Sequence, residues 1–182
     1  MLSRSKYVFK YRSVTKISKK TKIIDEKGET QLLDLKLWPF LPNFAYKNIQ
    51  KILVPKEKGI KILFDAGLYD ARKLSKNKTK KYVHPIVHNI TKRGLGLKYA
   101  KEKKKHFKVP KVLLNFNEKQ YPINDFDGKY GMSQLTFGIP IKSKKQGNDI
   151  ILAIKSIKFQ EILEATKWSS FQTDYRMFYY FD

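Results

Sequence analysis

The chain has 182 residues, and its 39 Lys and Arg against 16 Asp and Glu give a formal net charge of +23. Hydrophobic residues at 41% and aromatics at 14% exclude a disordered basic tail, and the lack of cysteine excludes a disulfide-stapled scaffold or a Cys-based zinc finger. No apolar run approaches the roughly 18 residues of a membrane span, and Met1 to Lys20 lacks the continuous apolar core of a secretory signal, so a folded protein with no membrane partner is expected.

In chain order, Tyr7 to Ile17 alternates loosely and suits a basic edge strand or an arm. Lys27-Gly28 marks a polar turn. Leu32 to Leu37 runs into Trp38-Pro39-Phe40-Leu41-Pro42, where two prolines forbid a regular helix. Asn43 would cap a short helix from Phe44 to Leu53, with Phe44, Ile49, Ile52 and Leu53 on one side. Gly59 precedes an expected strand from Ile60 to Phe64. Arg72 to Lys81 reads as an exposed loop, and Tyr82 to Ile90 as a strand whose Pro85 suits an edge. Gly94 and Gly96 mark a turn, and Lys101 to Lys105 a solvated loop or hairpin tip. Strands are expected at Lys111 to Phe116 and Gln134 to Ile141, with a turn at Asp127-Gly128 between them. From Asn148, Ile150, Ile151, Ile154, Ile157, Ile162 and Leu163 recur at helical spacing, with a break near Ser156. Trp38, Phe40, Phe44 and the aromatic-rich last fifteen residues are expected to pack in the core. The sum is an α+β fold: a single mixed domain of several short strands with two helices and a basic N-terminal arm. The arm covers residues 1–34 and the domain 35–182.

The charge is unevenly spread. Residues 1–111 hold 30 of the basic residues and 8 acids, whereas residues 112–182 hold 9 and 8. Residues 72–111 alone carry fifteen basic residues, one acid (Glu102) and all three histidines. Lysine makes up 34 of the 39 cations, as AT-rich coding would also give, but such coding would supply Glu as well. A field of this size favours polyanions, and nucleic acid gains affinity from each phosphate neutralised.

Catalytic signatures are weak. Gly94-Leu95-Gly96 is too short for a dinucleotide fingerprint, and no P-loop occurs. The glycine-rich turn and the (N/D/S)-P-P-(Y/F/W) tetrapeptide of amino-group methylation with S-adenosylmethionine are absent, so no cofactor is expected. His84 and His88 share a face in a regular strand, with His106 further on, but they lack a third strong ligand, so no metal site is expected. Glu118 followed by Asp127-Gly128-Lys129 resembles the acidic-x-Lys arrangement of magnesium nucleases, although Asp-Gly is a common turn dipeptide. Trp168, Phe171, Tyr175, Phe178, Tyr179 and Tyr180 could stack on bases, but the local charge is near neutral and packing accounts for them.

The segments YVHPIVH (Tyr82 to His88), TKRG (Thr91 to Gly94), KVLLN (Lys111 to Asn115) and DGKYGMSQ (Asp127 to Gln134) occur in an order that resembles a known family. With Ser156-Ile157-Lys158-Phe159, Trp168-Ser169 and the Pro-Phe-Leu-Pro-Asn stretch at 39–43, it is similar to the C-terminal target-recognition part of TaqI-like adenine-specific DNA methyltransferases and restriction–modification enzymes of bacteria and large DNA viruses. The resemblance covers roughly residues 35–182 and includes no catalytic motif. The methyl-transfer domain that would come first is missing, so it implies a detached recognition module, a fragment or a repurposed relative.

In such enzymes DNA lies between the recognition and methyltransferase domains, and the target adenine is flipped out. The resemblance thus implies a non-catalytic module that binds double-stranded DNA through a Lys/Arg-rich face, with a separate methyltransferase or nuclease subunit as a further partner. Candidate contacts are Arg72, Lys73, Lys76, Lys78, Lys92, Arg93, Lys98 and Lys108 in the loops 72–81 and 91–108, with His84 and His88 touching base or phosphate. Arg72, Arg93 and Lys92 lead, because the planar arginine fork suits bidentate recognition. Asp127-Gly128-Lys129 is assigned to a structural turn. The alternatives are a basic virion or chromatin protein that packages nucleic acid or binds acidic partners, and a small nuclease using Glu118, Asp127 and Lys129. The cytoplasm of a bacterium or virus-infected cell, or a virion, is the expected location.

Overall fold

The computed structural model describes residues 11–17, 20–25, 30–34, 38, 40, 42, 44–117, 120–166 and 173–182. The fold is mixed α+β. In chain order it runs β1 (Tyr11–Ile17), β2 (Lys20–Asp25), β3 (Thr30–Leu33), α1 (Tyr46–Ile52), β4 (His84–Thr91), β5 (Gly94–Ala100), β6 (Lys111–Asn115), β7 (Ile123–Asp125), β8 (Gly131–Met132), β9 (Thr136–Pro140), α2 (Lys144–Lys155) and α3 (Ile157–Ala165). Short 3-10 turns lie at Ala71–Lys73 and Tyr175–Tyr180. The chain divides into two units. One joins residues 1–60 to 157–182, and the other is residues 61–156.

The first unit carries the antiparallel sheet β1-β2-β3, helices α1 and α3, and the C-terminal aromatic segment. Its core contains Trp38, Phe40, Ile49, Ile162, Leu163, Met177, Phe178 and Phe181. Trp38 meets Phe181 edge-on at 5.2 Å, as does Phe159, the offset geometry that aromatic quadrupoles favour. The amides of Val54 and Ile60 donate to the carbonyls of Tyr180 and Phe181, each at 2.9 Å. A Cβ on Gly59 would sit 1.9 Å from the Tyr179 carbonyl oxygen, so only glycine lets the two segments pass.

Helix α1 starts at Tyr46, later than expected, behind Ala45 at φ 59° with no side-chain cap; Asn43 lies outside the described residues. Phe44 and Ile52 are exposed rather than core, and Ile49 alone of the expected stripe is buried. The Lys27-Gly28 turn, Tyr7 to Lys10, Trp168 and Phe171 also lie outside the described residues.

The second unit has two three-stranded sheets, β5-β4-β8 and β7-β6-β9, with α2 packed on β6 and β7. Successive residues on β4 face opposite ways. Ile86 joins Tyr69, Ala100 and Phe107 on one side, while Val87 joins Ile90, Leu113 and Met132 on the other. Strand β4 is therefore buried on both faces, as its apolar run requires. Pro85 is tolerated because β8 pairs with β4 only at Ile86 and Val87, leaving β5 as its one neighbour there.

Three expectations change in this unit. Ile60 to Phe64 forms no strand: Leu63 makes a single bridge to Gly138, while Ile60 bonds Phe181. The β4–β5 turn is Lys92-Arg93, with Gly94 at φ +113°; Gly96 lies inside β5 opposite Asn89, next to a β-bulge at His88. The late helix begins at Lys144, because Ser143 accepts from the Gln146 amide while Gln146 Oε1 accepts from the Lys142 amide. The break comes at Ser156, and it resets the helical phase so that Ile157 is 90% exposed.

Candidate nucleic-acid interface

No acid occurs between residues 71 and 101, so the loop from 76 to 81 is purely cationic, with Lys76, Lys78, Lys80 and Lys81 all exposed. The loop is pinned by a two-way backbone bridge: Ser75 N–H donates to the Tyr99 carbonyl at 3.0 Å and Tyr99 N–H to the Ser75 carbonyl at 2.8 Å. Ser75 Oγ then bonds Asn77 at both ends, accepting from its amide and donating to its carbonyl. Tyr99 is next to Ala100, where β5 ends and the second basic loop, Lys101 to Lys105, begins. One residue pair thus places two lysine-rich loops together at one end of the β4–β5 hairpin.

Neutralisation in the second loop is partial. Lys105 pairs with Asp65 at 2.8 Å, which holds that carboxyl below its usual range, and Lys104 lies 3.6 Å from Glu102. The Lys101 ammonium stands 5.3 Å from the Tyr82 ring centroid and that of Lys104 5.6 Å from the Tyr69 ring, distances at which a cation is drawn to the ring face.

The expected contact residues divide. Lys73, Lys76 and Lys78 are exposed beside this cluster. Lys92 and Arg93 are exposed at the opposite end of the hairpin, roughly 20 Å away for seven residues of strand. Arg72 cannot serve as a free fork, because its Nε and Nη2 both bind the Asp70 carboxylate, at 2.9–3.2 Å. That pairing pushes Asp70 down to about 2. Lys98 is half-buried and directs its ammonium to the Ala71 carbonyl at 3.5 Å. Lys108 is exposed at φ 60°, its amide bonded to Gly128.

The two β4 histidines do not converge. His84 packs edge-on against Phe107, with centroids 6.1 Å apart. His88 lies at the bulge, its Nδ1 3.1 Å from Ser133 Oγ, where burial and then Lys98 lower its basicity. A neutral His88 adds no charge for a phosphate.

The D-G-K-Y-G segment forms a structural turn. Gly128 takes φ +61°, and a Cβ there would lie 2.7 Å from Lys108 C and Val109 N. Asp125 organises the loop, its carboxylate accepting the amides of Lys129 and Tyr130. The same carboxylate holds Lys111, which is fully buried rather than part of the basic surface. The Lys111 ammonium donates to Asp125 Oδ2 at 2.6 Å and to the His106 and Val109 carbonyls, each at 3.1 Å, which uses all three protons. For the nuclease arrangement, Glu118 lies outside the described residues, while Asp127 and Lys129 are exposed. Among the described residues, no three His, Asp or Glu gather in a way that could hold a metal ion.

A cleft that sequence reasoning missed lies between the segment 67–74, Tyr82 and the second lysine loop, with a volume of about 360 Å³. Tyr69 and Tyr82 line it together with Leu74, Lys73, Lys101 and Lys104. The Tyr69 hydroxyl accepts the Lys104 amide and donates to the Glu102 carbonyl, and burial pushes its pKa up to about 12. The lysines flanked by Tyr69 and Tyr82, and those following Tyr99, were the available sign, but nothing in the sequence brings the two stretches together.

Compared with protein-family models, with curated proteins and with solved structures, the chain gives no significant match. Among the described residues, no helix is long and apolar enough to cross a membrane.

Proposed function

We propose that this protein is a non-catalytic module that binds duplex DNA through the lysine loops 76–81 and 101–105. The observation that carries this reading is the Ser75–Tyr99 bridge, which sets the two loops side by side next to a stretch of thirty-one residues without an acid. Phosphates spaced along a strand suit such a row of point charges, and each one neutralised releases condensed counterions. The likeness of the chain to the target-recognition part of adenine-specific DNA methyltransferases supports a duplex as the polyanion, with any catalysis coming from a separate methyltransferase or nuclease subunit.

Fluorescence anisotropy with a labelled duplex tests it. Six to ten phosphate contacts should cost roughly a thousand-fold in affinity between 50 and 200 mM salt. Replacing Lys76, Lys78, Lys80 and Lys81 by Gln should flatten the salt slope by about 0.9 for every phosphate that is no longer neutralised. The same change at Lys142, Lys144, Lys145 and Lys155, also exposed, should matter far less. Equal effects from the two sets, or salt-independent binding, would sink the proposal.

One observation favours a second reading, a basic virion or chromatin protein that packages nucleic acid. With Arg72 held by Asp70, the cluster offers lysines, which bind phosphate without reading bases. Competition between selected and random duplexes separates the two. Packaging gives a ratio near one, and a sequence reader gives about a thousand or more.

A further inference from the structure

We infer that the cleft between the segment 67–74, Tyr82 and the lysine loop 101–105 receives a single unstacked nucleotide, its base against Tyr82 and its phosphate among Lys73, Lys101 and Lys104. This inference deepens the nucleic-acid reading above and rests on it. The cavity, about 360 Å³, falls near the lower end of the roughly 300–1,000 Å³ typical of small-ligand sites. Its lining combines the two features that single-strand sites share, an aromatic platform and cations that follow the backbone, while the Asp70 carboxylate that also lines it is paired with Arg72.

The polar groups fit the same class. Tyr82 is half-buried and Lys101 stands over its ring, so a base stacking on that face takes the place of the ammonium, which the flexible lysine stem carries to the phosphate. Tyr69 is fixed rather than available, since its hydroxyl is engaged by Lys104 and Glu102 and its ring is wedged against Phe107 and His106. It therefore forms a rigid wall. The Glu102 carboxylate at the rim is largely exposed and can accept from the amino group of a base. Leu68, Leu74 and Ala100 supply the apolar floor on which a planar ring loses its water. A fully paired duplex presents no free base, so the cleft would act only where a nucleotide is bulged, flipped or single-stranded.

The test uses the full chain with three probes: a paired duplex, the same duplex with one bulged 2-aminopurine, and a thymidine single strand with one central 2-aminopurine. The bulged duplex should bind about tenfold more tightly than the paired one, and the fluorophore should be quenched on stacking. Tyr82→Ala should abolish both the preference and the quench and should weaken the bulged duplex far more than the paired one, and Tyr82→Phe should retain both. Lys101→Glu, at an exposed position where folding is not at risk, should weaken all three probes because it lies in the loop 101–105, and the bulged duplex more than the paired one. If the paired duplex binds but the bulge is neither preferred nor quenched, the cleft proposal is wrong and the duplex reading survives. If only the unpaired probes bind, with a Tyr82-dependent quench, the cleft stands and the duplex reading fails. If no probe binds, both fall.

Discussion

Lys111 and His106 occupy adjoining buried positions and respond differently. Lys111 is deeply buried and fully bonded; burial lowers its pKa and the Asp125 carboxylate opposes that shift, while Asp125 in turn tethers the following turn through two amides. Removing one partner of such a pair strands the other charge, which costs about 3–5 kcal/mol. Lys111→Met should therefore lower the urea midpoint strongly with little change in slope, and a loss below about 1 kcal/mol would contradict the described network. His106 is only 1% exposed, and neither ring nitrogen reaches hydrogen-bond geometry. Burial, with smaller pushes from Lys111 and Lys105, lowers its pKa from 6.5 to about 4, despite opposing contributions from the Met132 backbone and Asp65. The unfolded chain then binds the extra proton first. Stability should fall as pH drops from about 6.5 towards 4, by on the order of 3 kcal/mol, and change no further through this group below that. Urea titrations at pH 7, 5.5 and 4 check it, and His106→Phe should flatten the profile.

At the level of elements, two glycines in tight places should behave differently. Gly128 combines a left-handed backbone with a Cβ position only 2.7 Å from backbone atoms of Lys108 and Val109, which cannot move aside. Gly128→Ala should cost at least about 1 kcal/mol from backbone handedness alone, with the clash added. A Cβ on Gly96 would meet only the Asn89 side chain, which is exposed and free to rotate, so Gly96→Ala should cost less. Thermal melts of the two variants decide the order.

The same contrast shows what could be read in advance. Strand β6, the Asp127-Gly128 turn and the Ser156 break were legible because local pattern and turn chemistry decide them. The start of α2 was missed since its capping pair, Ser143 and Gln146, precedes the apolar stripe. The bulge at His88 was missed because one extra residue breaks the period-two rule without leaving a mark in composition. Lysine density marked the basic loops 76–81 and 101–105, but residues 94–100 of the expected loop 91–108 form strand β5. Density could not reveal that Lys111 is internal, that Arg72 is held by Asp70, or that a cleft forms where Tyr82 and Lys101 meet, because each depends on a partner elsewhere in the fold.

For the molecule as a whole, a net charge of +23 means that folding concentrates like charges. Surface repulsion is screened over about 10 Å at 0.1 M salt, whereas the buried Lys111–Asp125 pair is largely shielded from ions. The melting temperature should therefore rise between 10 and 200 mM sodium chloride, and rise further with a short duplex at low salt. A melting temperature that falls as salt is added would mean that attractive surface pairs dominate. The exposed pairs, Lys145–Asp149 and Lys104–Glu102 among them, are each worth at most about 1 kcal/mol.

The hydrogen bonds from Val54 and Ile60 to Tyr180 and Phe181 bridge more than a hundred positions of chain. On the ribosome, residues 61–156 emerge and can collapse before those acceptors exist, whereas Val54 and Ile60 must wait for Tyr180 and Phe181 to be made. The two hydrogen bonds from Val54 and Ile60 are therefore among the last contacts that synthesis permits.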